Sequence, residues 1–253
     1  MKNLQWTLTA KRKVNKMVAY TKRHDGRKME DFRPVEAKVG VIKRADGSAY
    51  FKIGDTVAIA SVYGPRELHP KFLQNPERGV LRVSYNMMPF SGQGDRVRPG
   101  PNRRAKEIAM VTEKALFPVL NLENYPNAVV DVMIEFPQTD AGSRCAGICA
   151  ASMALADAGI TMKDLVPAVS VGRVGKQLLV DLDYYEEAYK DETVADIPMA
   201  LIPSTEELTL LQMDGDVSRE QLKEALEMGS DACKRIYEIQ KQALKDKFVG
   251  EKK

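Results

Sequence analysis

The chain has little cysteine, histidine or tryptophan: three, two and one among 253 residues. Three cysteines, two of them (Cys145 and Cys149) inside a run of small residues, do not make a disulfide framework, and none has the paired spacing of a zinc site. No segment is long and apolar enough to cross a bilayer, and the first residues hold no apolar core of signal-peptide length. These absences predict a reduced, cytoplasmic chain with no membrane partner. No short repeat and no low-complexity linker divides it. What is present is a body 44% hydrophobic and 29% charged, enough for one large domain or two small ones. The net charge of +3 is too mild to identify a polyanionic partner, so the placement of the arginines matters more than their number.

One stretch organises the rest. Ala128 to Phe136 alternates apolar and polar residues, the pattern of a half-buried strand. After a turn, Thr139-Asp140-Ala141-Gly142-Ser143-Arg144 opens a run of small residues, Cys145 to Ala158, that reads as a helix lying close on a sheet and stopped by Gly159. Gly142, Ser143 and Arg144 therefore stand where a strand hands over to a helix. Free N–H groups, the helix dipole, a hydroxyl and a guanidinium converge there, which suits a phosphate. The same three residues also serve elsewhere as an ordinary cap with a solvated arginine.

The first 28 residues carry Lys11, Arg12, Lys13, Lys16, Lys22, Arg23, Arg27 and Lys28 with little acidic compensation, a loosely held basic arm or a contact for RNA or a neighbouring subunit. From Val35 the pattern predicts a three-strand antiparallel meander: Val35–Lys43, Ala49–Ile53 and Thr56–Tyr63, the last ended by Gly64-Pro65. Val80–Met88 adds a fourth strand beside them. Ser91–Asn102, rich in glycine, proline and arginine, is a loop, and Asn102 caps a helix with Arg103 and Arg104 in its first turn. Cations oppose the dipole there, so the pair makes best sense facing an anion, although arginines also snorkel over sheets. A hairpin spans Pro167 to Asp183 and leads into the acids Glu186, Glu187, Asp191, Glu192 and Asp196. Asp196 opens an apolar strand, where a carboxylate needs a cation or an arginine beside it. Mg²⁺ is the ion that oxygen ligands and phosphates suit. Ser218-Arg219-Glu220-Gln221 is a capping box before a long amphipathic closing helix.

The segments Tyr63-Gly64-Pro65-Arg66-Glu67, Arg103-Arg104-Ala105-Lys106-Glu107-Ile108, Asp140 to Arg144, Ala154 to Gly159, Asp181-Leu182-Asp183 and Ala195-Asp196-Ile197-Pro198 together resemble the ribonuclease PH family, and within it the catalytic ring subunits of archaeal exosomes. The resemblance runs from about Arg23 to Phe248. It implies an α/β (α+β two-layer) fold of the ribosomal-protein S5 domain 2-like type, the ribonuclease PH fold with mixed sheets and helices. In this organisation, 1–28 is the basic arm and 29–253 the body, with a core over about 29–160 and a C-terminal part over about 161–253.

The resemblance also implies an activity: degradation of single-stranded RNA from its 3′ end with inorganic phosphate as co-substrate, releasing nucleoside diphosphates, or the reverse tailing reaction. The partners it implies are a related inactive ring subunit, three copies of each in a hexamer, and RNA-binding cap proteins. Arg104, Gly142, Ser143 and Arg144 match phosphate-binding positions, Arg66 and Arg103 match positions on the RNA backbone, and Asp196 matches the second of two catalytic, Mg²⁺-binding carboxylates. The segment before Asp196 is longer than in relatives, so either Glu187 or Asp191 fills the first carboxylate role. Two other readings remain: a homohexameric ribonuclease PH trimming tRNA 3′ ends, and a non-catalytic RNA-binding ring subunit.

Overall fold

A computed structural model describes residues 20–98, 100 and 102–250. Two sheets are built in sequence. The first begins as the expected meander, β1 (Val35–Val39), β2 (Gly47–Ile53) and β3 (Thr56–Glu67), each antiparallel to the one before. β4 (Val80–Met87), α1 (Arg103–Leu116) and β5 (Ala128–Gln138) follow, and the sheet order is β1-β2-β3-β5-β4. The strand over Val80–Met87 therefore does not lie beside the meander. It is parallel to β5 at the sheet edge, with Val80 opposite Val129 and Tyr85 opposite Ile134. The reason is α1: parallel neighbours need a long crossover, and the helix between β4 and β5 supplies one.

β1 ends earlier than expected, at Val39, and β3 runs on past Gly64-Pro65 to Glu67. Gly64 has φ +123° and a Cβ there would lie 2.5 Å from the Val129 carbonyl oxygen, so only glycine fits. The register shifts between Tyr63 and Arg66, and the strand resumes with Arg66 opposite Val129. A bulge replaces the expected strand end, and Arg66 becomes a strand residue.

α2 (Ser143–Asp157) leads to β6 (Ala168–Val174), β7 (Gln177–Val180), the single turn α3 (Tyr184–Glu187), β8 (Val194–Ile202), β9 (Glu207–Leu211) and α4 (Arg219–Gly250). The second sheet has the order β7-β6-β8-β9, all antiparallel. Every residue of α2 from Cys145 to Leu155 is buried, because the helix touches β2, β3 and β5 on one side and β6 and β8 on the other. A helix apolar on all faces belongs inside, and alanines let both sheets approach it. Full burial of Ile148, Met153 and Leu155 contributes about 1.5–3 kcal/mol each, and a larger residue at Ala151 would cost roughly 1–3 kcal/mol in overpacking. α4 opens on the predicted box: the Gln221 N–H donates to Ser218 Oγ (3.2 Å) and the Ser218 N–H to Gln221 Oε1 (3.1 Å).

Lys11, Arg12, Lys13 and Lys16 of the basic arm lie outside the described residues. In the described part of the arm, Lys22 and Lys28 are exposed as expected, but Arg23 is an anchor. Arg23 is 1% exposed; its guanidinium donates to both oxygens of Glu186 (2.9 and 2.6 Å) and to the carbonyls of Val180 and Asp181 (2.8 and 2.7 Å). Basic composition suggested solvent, but a fully partnered guanidinium is stable inside.

Candidate active site

The loop between β5 and α2 is held in a costly shape. Ala141 and Gly142 both have positive φ, +55° and +61°, which a non-glycine residue adopts only when its surroundings dictate it. Two groups do so. Thr56 Oγ1 accepts from the Asp140 N–H (2.8 Å) and donates to the Ala141 carbonyl (2.7 Å). The buried Arg33 guanidinium donates to Asp140 Oδ2 (3.1 Å) and forks onto the two oxygens of Asp181 (2.7 Å each). Arg33 thus ties this loop, which follows the first sheet, to the end of the hairpin that leads into the acids. α2 then starts at Ser143 with no side-chain cap, leaving its first N–H groups for a ligand.

A cavity of about 800 Å³ opens in front of that helix start. Arg104, Gly142, Ser143, Arg144, Glu187 and Asp196 all line it. Arg104 comes from the first turn of α1, whose cap is Asn102 Oδ1 accepting from the Ala105 N–H (2.7 Å). Arg144 leans on Glu107, Nη2 to Oε2 3.3 Å, and its Nε is buried without a partner. Glu187 ends α3 and Asp196 is the third residue of β8. Three candidates do not reach the cavity. Asp191 is exposed after α3 and does not line the cavity, whereas Glu187, at the end of the turn closed by the Asp183–Glu186 capping box, is exposed along the cavity wall. This corrects its candidacy on geometry. Arg103 is exposed on α1, and Arg66 lies on the open face of the first sheet, paired with Asp131 at 3.1 Å.

The acid side is electrostatically loaded. Burial pushes the Asp196 carboxyl above the ordinary aspartate value; a hydrogen bond from Ser170 and the Arg144 charge act against this, while Asp214 adds to it. Desolvation by the cleft walls likewise raises Glu187, with Asp196 as the next cause and Arg104 and Arg144 opposing. Carboxylates whose charged forms are disfavoured by burial hold a proton more readily or accept a cation. The donor set fits Mg²⁺: hard oxygens facing an open cleft, with room for the waters and phosphate oxygens that complete its shell.

Several lining residues had no role assigned to them from the sequence. Tyr85 donates its hydroxyl to Ser143 Oγ (2.9 Å), Glu107 steadies Arg144, and Asp214 forms a two-residue bridge with Asp196 (N–H to carbonyl, 2.8 and 2.9 Å). Each looked like an ordinary strand, helix or turn residue.

Residues 31–161 match the 3′ exoribonuclease family, domain 1, and residues 164–232 match its domain 2. The chain belongs to the ribonuclease PH family of 3′ exoribonucleases. It is 48% identical over 229 residues to the Exosome complex component Rrp41 of Methanopyrus kandleri, covering 90% of this chain and 94% of that protein. The protein of the same name from Pyrococcus furiosus is 50% identical over 228 residues, covering 90% of each. Among solved structures of the family's fold, rice Rrp46 superposes with a TM-score of 0.77 at 26% identity, over 88% of this chain and all of that one. A chain of the Archaeoglobus fulgidus exosome with RNA bound to the active site gives 0.73 at 26%, over 86% and 92%. No helix among the described residues is long and apolar enough to cross a membrane.

Proposed function

We propose that this chain is a phosphorolytic 3′-to-5′ exoribonuclease, the catalytic subunit of an exosome ring in which three copies alternate with three of a related inactive subunit beneath RNA-binding cap proteins. The relatives named as exosome components and the RNA-bound family structure support the assembly and the substrate. One observation carries the chemistry: two guanidinium groups from separate helix starts, a serine hydroxyl and two carboxylates with raised pKa values line one cleft.

Inorganic phosphate is held by Arg104, Arg144, the Ser143 hydroxyl and the N–H groups of the first turn of α2. Its charge must be neutralised before it can approach an already anionic diester. A phosphate oxygen then attacks the terminal phosphorus, the bond from phosphorus to the 3′ oxygen breaks, and the last nucleotide leaves as a nucleoside diphosphate. The shortened RNA keeps the 3′ oxygen, which takes a proton from Asp196 or Glu187, the pair whose surroundings favour holding one. A Mg²⁺ ion held by Asp196 and Glu187 would supply charge neutralisation at that leaving oxygen. Arg66 and Arg103 hold the RNA backbone, a readout without base preference, so binding weakens as salt rises.

The test is a labelled oligoadenylate mixed with the ring reconstituted from this chain and its partner subunit. Nucleoside diphosphate is expected only when phosphate is present, and Asp196→Asn should reduce its formation about 10²-fold or more. Monophosphate as the product, or an unchanged rate in Asp196→Asn, sinks the proposal.

A further inference from the structure

Tyr85 sits on the face of β4 that also carries Leu81, Val83 and Met87, and it is the one residue of that face with a hydroxyl. Its ring is buried against Phe136, centroids 4.9 Å apart, a contact that a phenylalanine would make equally well. The hydroxyl therefore needs a reason beyond packing, since a buried polar group without a partner is costly. Its partner is Ser143 Oγ, which accepts from it at 2.9 Å and makes no other hydrogen bond among the described residues. Burial pushes the Tyr85 phenol above its ordinary value, so it keeps its proton and remains a donor. Both residues line the cleft that Arg104 and Arg144 also line.

A serine hydroxyl has one proton and two lone pairs, and the rotor is free unless something fixes it. We propose that Tyr85 is a positioning residue for Ser143: by donating into the serine oxygen, it leaves the serine's own proton as the one presented to the anion in the cleft. The Ser143 hydroxyl is thereby committed as a donor before phosphate arrives, and no reorientation is needed at binding. The inference rests on the phosphate reading of the loop given above.

The experiment is phosphorolysis of oligoadenylate by the reconstituted ring at varied phosphate, comparing Tyr85→Phe, Ser143→Ala and the double variant. Tyr85→Phe should raise the KM for phosphate about two- to tenfold, the worth of one net hydrogen bond, with kcat and the KM for RNA close to the parent. Ser143→Ala should raise it about tenfold or more, because a bond to a charged ligand is lost outright. The double variant should match Ser143→Ala, since Tyr85 then has no hydroxyl to orient. A lowered Tm in Tyr85→Phe with an unchanged phosphate KM would mark Tyr85 as structural and overturn the proposal, as would additive effects in the double variant. If Ser143→Ala itself leaves the phosphate KM unchanged, the phosphate reading fails and takes this one with it.

Discussion

Two sets of arginines, one ahead of the first sheet and one at the starts of α1 and α2, are treated in opposite ways. Arg23 and Arg33 are buried and saturated, Arg23 by Glu186 and two strand-end carbonyls, Arg33 by Asp140 and the fork onto Asp181. Arg104 has no ion pair among the described residues, and Arg144 has one long contact to Glu107 with an unpartnered Nε. Cation count does not distinguish the two sets. Unused hydrogen-bonding capacity does: a saturated fork is frame, and an unsaturated one facing a cavity awaits an anion.

The comparison breaks most visibly on the frame side. Arg23→Met should leave the buried Glu186 carboxylate without its forked cation, at a cost of about 3–5 kcal/mol in the urea midpoint multiplied by its slope. The pH dependence gives the sign. Burial pushes Glu186 up, but bonds from Arg23 and Tyr20 outweigh it and hold the carboxyl below the ordinary value. A lowered folded pKa contributes stability above the unfolded value and loses it as pH falls through the folded one. In Arg23→Met that acid-side loss should shrink. Unchanged stability would show that saturation is not what makes this arginine structural.

On the ligand side the same exchange should do the reverse. Arg144→Met is expected to cut kcat/KM for phosphorolysis about 10²- to 10³-fold, the scale of losing a donor to developing charge, with a Tm near the parent. Arg144→Lys, which keeps charge but not the fork, should recover part of it. A large drop in Tm with intact turnover would place Arg144 with Arg23 and erase the distinction.

How far the sequence revealed this depends on the range of the interaction. The strand and helix around Asp140–Arg144, the cap at Asn102 and the box at Ser218 are local patterns, and they were readable. So was the pooling of Arg104 with Arg144, through family motifs rather than spacing. What was not readable is pairing across long stretches of chain. Alternation in Val80–Met87 announces a strand but not which neighbour it takes, and basic residues around Arg23 announce charge but not Glu186. Tyr85 and Asp214 reach the cleft only because the sheet register and the Asp196 bridge deliver them.

The acids repeat the division at smaller amplitude. Asp196 has a raised folded pKa, so its ionised form costs stability above the ordinary aspartate value, the cost growing as pH rises through the folded value and vanishing below the unfolded one. Asp196→Asn should therefore raise Tm at neutral pH, and the gain should fade as pH falls below the ordinary aspartate value. Asp191, exposed and outside the cleft, should show neither effect: Asp191→Asn should keep the parent Tm and turnover. Thermal scans at several pH values, paired with phosphorolysis rates, decide it. A variant at Asp191 that lost activity while Asp196→Asn kept it would mean that the turn after α3 rearranges on binding and that the other acid of the loop faces the leaving oxygen.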